Sequence, residues 1–216
     1  LATAGLGYAE IGDTKRVSVT SSGIQGNGYS NTHDVSADGR YVVFTSGAAN
    51  LVPNDTNGAG DIFIRDGTTG SVTRVSVSEA GVQGNAISSF PAISADGRYV
   101  GFSSSATNLV PNDTNGEDDI FVHDRVTGAI TRVSVNSNGV QATGGGSLFQ
   151  SFSSDGSLVT FVSAATNLVA GDTNGFQDIF LHNLVTGTTT RVSVSSTGVQ
   201  ANNHSNYPSI SAEGQQ

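Results

Sequence analysis

A tandem repeat of about 58 residues is the feature that most constrains how this chain can fold. The string Arg-Val-Ser-Val occurs four times, at intervals of 58, 58 and 59 residues, starting at Arg16, Arg74, Arg132 and Arg191. Further landmarks follow in a fixed order: Gly-Val/Ile-Gln, Ser-Ala-Asp-Gly or a close variant, Asn-Leu-Val, and Asp-Thr-Asn-Gly-x-x-Asp-Ile-Phe. Self-similarity with a fixed period predicts an array of identical supersecondary units.

Each period contains four short β-rich runs, at 33–36, 40–45, 61–65 and 72–77 in the first period. Asp38-Gly39 and the stretch 66–70 separate them, and such turns are typical of hairpins because glycine accepts a positive φ. No segment sustains a helical period. Four hairpin-linked strands predict an all-β chain built of four-stranded antiparallel propeller blades. A β-solenoid is the alternative, although solenoid coils are shorter and rarely carry two tight hairpins each.

The repeat also predicts the organisation of the chain as one array over 1–216. Complete blades are expected at 33–77, 91–135 and 149–194, with partial blades at 14–32 and 207–216. The two end pieces could supply an outer and an inner strand of a fourth blade, but they lack its middle strands. Propellers usually have at least four blades, so the ring is expected to be incomplete without further chain.

The blade landmarks resemble a known bacterial family. The string Ser-Ala-Asp-Gly-Arg-Tyr-Val-Val-Phe-Thr-Ser is similar to the signature of the TolB-like, or WD40-like PD40, propeller repeats. The longer pattern from Asn-Leu-Val through Asp-Thr-Asn-Gly-x-x-Asp to Arg-Val-Ser-Val resembles a variant found in large exported bacterial proteins. The resemblance implies the propeller fold and an extracellular or cell-surface location. It implies no single activity, because these propellers serve as binding platforms and as domains beside enzymes.

Net charge and residue usage narrow the possible partners. The formal charge is −9, so nucleic acid is not an expected partner, because an acidic surface repels phosphate backbones. The chain has no cysteine, which excludes disulfides and thiolate chemistry. No stretch approaches the length and apolarity of a transmembrane helix.

The repeated acidic loop is the best candidate for a metal site. Its string Asp-x-Asn-Gly-x-x-Asp is similar to positions 3, 5, 6 and 9 of EF-hand-like calcium loops, and oxygen ligands of this kind suit Ca²⁺. The first ligand position carries no side-chain oxygen, so Asn50 and its equivalents, a carbonyl or water would complete the shell. The alternative is an Asx turn followed by a capping aspartate. The predicted ligands are Asp55, Asn57, Asp61, Asp113, Asn115, Asp119, Asp172, Asn174 and Asp178.

Other polar residues favour structural roles over catalysis. His123 and His182 occupy the same repeat position as Arg65, whereas an active site is normally unique. No Gly-x-Ser-x-Gly nucleophile motif occurs. The repeated arginines could contact an anionic partner, but pairing with a neighbouring acid such as Asp66 is the favoured interpretation. We therefore expect no enzymatic activity.

The sequence leaves three functional hypotheses. The first is a secreted structural or assembly module that forms a homo-oligomer or polymer through open blade edges and is stabilised by calcium, because unpaired edges template the addition of further strands. The second is a multivalent module that binds glycan or protein with equivalent pockets on each blade. The third is an accessory domain of a secreted hydrolase.

Overall fold

Three four-stranded antiparallel sheets make up the computed structural model, which describes residues 14–214. In each sheet the strands follow one another in chain order from the inner to the outer edge. Blade 1 contains β1 (Ser30–Val35), β2 (Tyr41–Ser46), β3 (Asp61–Asp66) and β4 (Val72–Arg74). Blade 2 contains β5 (Ser88–Ile93), β6 (Tyr99–Ser104), β7 (Asp119–Asp124) and β8 (Ile130–Arg132). Blade 3 contains β9 (Ser147–Phe152), β10 (Leu158–Ser163), β11 (Asp178–Asn183) and β12 (Thr189–Arg191).

Separate meander sheets of four strands are propeller blades, so the predicted fold is confirmed and the solenoid alternative is wrong. The described part of the chain does not close these blades into a ring. It also contains no helix long and apolar enough to span a membrane.

The outer strand is shorter than expected. The run 72–77 was predicted to be a six-residue strand, but β4 ends at Arg74. Val77 then forms an isolated bridge with Gln83, because the chain turns away from the sheet toward the next blade. The partial blade predicted at 14–32 contains the equivalent isolated bridge, between Val19 and Gln25, and then the start of β1 at Ser30, whereas the described part of 207–216 contains no strand.

The hydrophobic core lies between blades. One cluster joins Ile62, Ile64 and Val75 of blade 1 to Phe102 and Phe121 of blade 2. A second cluster joins the equivalent residues of blade 2 to blade 3. On the opposite side of blade 1, a third cluster is covered in part by Val17 from the end piece. Apolar side chains on both faces of β3 and β7 are therefore buried, as the continuous apolar runs predicted.

Candidate functional site

Each predicted calcium loop forms a buried cluster around the arginine of the Arg-Val-Ser-Val string. In the first repeat, Arg74 Nη2 lies 3.2 Å from Asp55 Oδ1, and Nε lies 3.5 Å from Asp61 Oδ2. These side chains are 7 %, 5 % and 0 % exposed. The other two clusters repeat the arrangement. Arg132 lies 2.9 Å from Asp113 and 3.3 Å from Asp119. Arg191 lies 3.0 Å from Asp172 and 3.4 Å from Asp178. The structure thus brings together the two predicted acids of every loop.

The carboxylate that begins each third strand already has its hydrogen-bond donors. Ser76 Oγ donates to Asp61 Oδ1 at 2.6 Å, and Asn57 Nδ2 donates to Asp61 Oδ2 at 3.0 Å. Asn57 also forms an Asx turn, since its Oδ1 accepts the backbone N–H of Ala59 at 3.0 Å. The same donors serve the other two loops, where Ser134 and Asn115 bind Asp119 and Ser193 and Asn174 bind Asp178.

Burial sets the electrostatics of the clusters. It raises the pKa of Asp61, against the opposing effects of the Ser76 hydroxyl and the Arg74 charge. Burial also raises the pKa of Asp113, with repulsion from Asp119 as the next cause, and it raises the pKa of Asp172. Removing an ionised carboxylate from water is costly unless an opposite charge is close. The central guanidinium supplies that charge in all three repeats.

This arrangement does not fit a calcium shell. Ca²⁺ takes six to eight oxygen ligands, whereas the oxygens of Asp61 and Asn57 already accept N–H and O–H donors. The fixed positive charge of Arg74 lies between the two carboxylates and would repel a divalent cation. Across residues 14–214, no three His, Cys, Asp or Glu side chains are grouped as a metal site. Thermal unfolding with and without calcium tests the predicted binding.

Two residues suggested as partners in these clusters have other roles. Asp66 was the expected partner of Arg74, but it accepts a bidentate pair of hydrogen bonds from Arg40, at 3.2 and 2.8 Å. This hydrogen bonding is the main cause that lowers the pKa of Asp66 to about 2. Asn50, suggested to complete the calcium shell, instead donates to Gln25 O and accepts from Asn27 N, each at 2.9 Å. Both residues therefore stabilise turns and loops through hydrogen bonds.

The outer face of blade 3, defined here by Ile179, Leu181 and Val192, is exposed in part. These residues are half-buried. Their equivalents in the first two blades are packed against the next blade, with Ile62 and Ile120 both 0 % exposed. Blade 3 thus has an apolar face of the kind that the other blades bury, and no further sheet covers it within residues 14–214.

Sequence reasoning missed an aromatic arc along the inner strands. Phe90, Phe149 and Tyr207 occupy equivalent repeat positions, and their ring centroids lie 4.6 and 5.1 Å apart in succession. All three have positive φ, between 52° and 55°, as does Thr32 in the first repeat, with a φ of 27°. The register shift in β1 and β9 leaves Thr32 and Phe149 without a ladder partner. An alignment of the four repeats would have revealed the position, because three of its four residues are aromatic.

The histidines occupy structural positions. Burial lowers the pKa of His123 and of His182, so both are neutral near pH 7. His182 Nδ1 and Thr189 Oγ1 are 2.9 Å apart in a buried hydrogen bond, and the Thr189 hydroxyl also donates to Val135 O. His182 therefore joins blade 3 to the end of blade 2.

The three meander sheets, packed face to face through apolar clusters, define an array of β-propeller blades. The chain is similar to solved structures described as TolB, one from Agrobacterium tumefaciens with 21 % identity and a TM-score of 0.49, and one from Acinetobacter baumannii with 20 % identity and a TM-score of 0.45. It is also similar to an oligogalacturonate lyase, with 16 % identity and a TM-score of 0.49. No protein-family model and no curated protein matches the sequence.

The likeness spans 76 %, 77 % and 76 % of this chain, respectively, but only 48 %, 32 % and 41 % of those proteins. The chain therefore corresponds to less than half of each of these structures.

Proposed function

We propose that this chain is a non-catalytic assembly module whose blade 3 binds a second copy through its outer face. The observation that carries the proposal is the internal comparison of equivalent positions. Leu181 is half-buried, whereas Ile64 and Val122, its equivalents in the other blades, are each 4 % exposed because the next blade covers them.

Burial of this face supplies the driving force. Complete burial of one Val, Leu or Ile side chain stabilises by about 1.5–3 kcal/mol relative to full exposure. Val194, which follows β12, is 39 % exposed, and its equivalent Val135 lies at the boundary between blades 2 and 3. Contacts between copies that bury such a patch give a homodimer or a larger assembly, according to whether the contact closes.

We further propose that the chain is not an enzyme and that it is exported. The buried positions of His123 and His182 favour a non-catalytic role. The resemblance to exported bacterial propellers favours an extracellular or cell-surface location, which fractionation of the native cells would test.

Sedimentation velocity over a wide concentration range tests the assembly. We expect a concentration-dependent increase in mass for the native chain, and its loss in Leu181→Glu, because a charge on the face cannot be buried. The matched control is Val185→Glu, which adds the same charge at a hairpin residue that is 80 % exposed. A native chain that stays monomeric at every concentration, or a Leu181→Glu variant that assembles like Val185→Glu, contradicts the proposal.

A second candidate function is multivalent binding of glycan or protein. Three equivalent crevices support it, one beside each acidic loop, with volumes of about 820, 790 and 580 Å³ along the chain. Asn, Asp, Ser and Thr side chains contribute to their walls and could hydrogen-bond sugar hydroxyls. A glycan array tests this candidate, and binding unchanged by Leu181→Glu would separate it from assembly.

A further inference from the structure

The boundary between blades 1 and 2 contains an arginine that the boundary between blades 2 and 3 lacks. Arg125, the residue after β7, reaches back to blade 1 and places its guanidinium carbon 4.0 Å from the ring centroid of Tyr41. Its Nη1 also donates to Gly97 O. Arg40 lies 4.7 Å from the centroid of the same ring. Tyr41 is thus in contact with two cations.

Blade 3 has Leu184 at the position of Arg125. The two backbones are equivalent, because Leu184 N donates to Ser157 O just as Arg125 N donates to Arg98 O. Leu184 packs in the cluster that includes Tyr99, the equivalent of Tyr41. Tyr99 retains only the first of the two cations, with the Arg98 guanidinium carbon 4.7 Å from its centroid. The second guanidinium is therefore missing beside Tyr99.

A crevice of about 490 Å³ lies at this boundary, and Tyr99 and Leu184 both line it. Its size is within the range of ligand pockets in proteins, and it exceeds the space that one side chain needs. The crevice is formed by both blades, since Thr131 and Ser137 line it from blade 2 and the adjoining loop, and His182 lines it from blade 3.

The ionised side chains of the crevice lining are paired and leave no free positive charge that would repel a cation. Asp124 lines it and is paired with Arg98, at 2.7 Å between Nη2 and Oδ2. Arg132 also lines it, but that side chain is held between Asp113 and Asp119. The two charged side chains of the lining thus have opposite charges, and each is held in an ion pair. His182 adds no charge near pH 7, because burial lowers its pKa.

We propose that this crevice, named here the Tyr99 crevice, binds a ligand with a guanidinium group, such as an arginine residue of a peptide. The ligand's guanidinium lies on the Tyr99 ring as Arg125 lies on Tyr41. Guanidinium is the favoured cation because its plane stacks on an aromatic ring while its N–H groups donate to nearby oxygens. The proposal is independent of assembly, because Leu181 and the outer face of blade 3 are not part of the crevice.

Calorimetric titration with N-acetyl-arginine amide tests the proposal, with N-acetyl-citrulline amide as the neutral analogue of the same shape. We expect the arginine compound to bind about 2- to 30-fold more tightly than citrulline, which is the size of a cation–π contribution. Equal binding of the two compounds, or no binding of either at millimolar concentration, overturns the proposal.

Two substitutions locate the site. Leu184→Arg supplies the missing side chain, so it should fill the crevice and abolish binding of the arginine compound. Val185→Arg is the matched control, because it adds the same charge one residue away at a side chain that is 80 % exposed, and it should bind as the native chain does. If Leu184→Arg does not fold, Tyr99→Leu removes the ring and should abolish the preference over citrulline. A folded variant at either position that binds like the native chain overturns the proposal.

Discussion

The side chain of Arg132 lies 2.9 Å from the carboxylate of Asp113, with the two side chains 10 % and 4 % exposed. This buried ion pair recurs in all three repeats, and each time the same arginine also contacts the acid that begins the third strand. The acidic loop, which resembles a calcium loop in sequence, thus surrounds a cation that belongs to the chain itself.

Calcium is expected to leave the stability of the native chain unchanged. Thermal unfolding in excess Ca²⁺ and in excess EGTA should give the same midpoint, because the loop carboxylates already contact arginine and amide or hydroxyl donors. A ligand that binds the native state raises the midpoint of thermal unfolding by mass action, so calcium binding would be seen as a higher midpoint. A midpoint that rises with calcium concentration would establish the binding that the sequence predicted.

Removal of the arginine at the centre of a cluster should greatly reduce the stability of the fold. We expect Arg132→Ala to lower the free energy of unfolding by about 3–5 kcal/mol, because it leaves two acids in a buried position without an opposite charge. Chemical denaturation at pH 7 measures the loss. The matched control is Arg98→Ala, which breaks the pair with Asp124 at a side chain that is 40 % exposed and should cost about 1 kcal/mol or less. Equal losses would contradict a special role for the cluster.

The hairpin pair between Arg40 and Asp66 predicts a loss of stability in acid. The pKa of Asp66 is about 2 in the folded chain, below the ordinary value of 3.8, chiefly because Arg40 donates hydrogen bonds to it. A depressed folded pKa stabilises above the unfolded value, and this contribution is lost as the pH falls from about 4 to about 2. Asp66→Asn should therefore be less stable than the native chain at pH 7 and nearly equal to it at pH 2. A difference that stays constant over this range would contradict the assignment.

The raised pKa of Asp61 changes the stability of the fold with pH in the opposite direction to the lowered pKa of Asp66. Its folded form keeps a proton to higher pH than the unfolded form, so this acid alone makes stability rise as the pH falls from its raised folded pKa to the ordinary value of 3.8, above the window of Asp66. The comparison of native chain and Asp66→Asn at each pH removes this background, since Asp61 is present in both.

Two glycines in equivalent positive-φ conformations should respond differently to alanine. Gly97 has a φ of +74°, and a Cβ there would lie 2.5 Å from Tyr41, whereas Gly128 has a φ of +78° with nothing within 4 Å of its Cβ position. Gly128→Ala should cost about 1–2 kcal/mol from the left-handed conformation alone. Gly97→Ala should cost more, because the methyl group also displaces the ring that Arg125 contacts. Chemical denaturation of both variants checks the order, and equal losses would contradict the close packing of Tyr41.

The sequence repeat predicted much of the fold. The period and the apolar runs around Phe44 and Phe63 predicted four-stranded blades, because local β-propensity and turn chemistry agree in every copy. The acidic loop was harder to interpret. Asp55, Asn57 and Asp61 are close in sequence and suggest a metal, but the charge that pairs with them comes from Arg74, more than ten residues away on another strand. Only the folding of β3 against β4 brings that guanidinium between the acids.

The sequence by itself determined the blade, its four strands and the recurrence of each side chain at equivalent places, since these depend on short-range pattern. The tertiary structure decided which equivalent residues differ in environment. Ile62 and Ile179 occupy the same repeat position, yet only Ile62 is covered by a following blade. Tyr41 and Tyr99 are likewise equivalent, but Arg125 contacts one ring and Leu184 stands beside the other. Such differences arise at boundaries between blades, because packing there depends on the neighbouring unit rather than on the repeat itself.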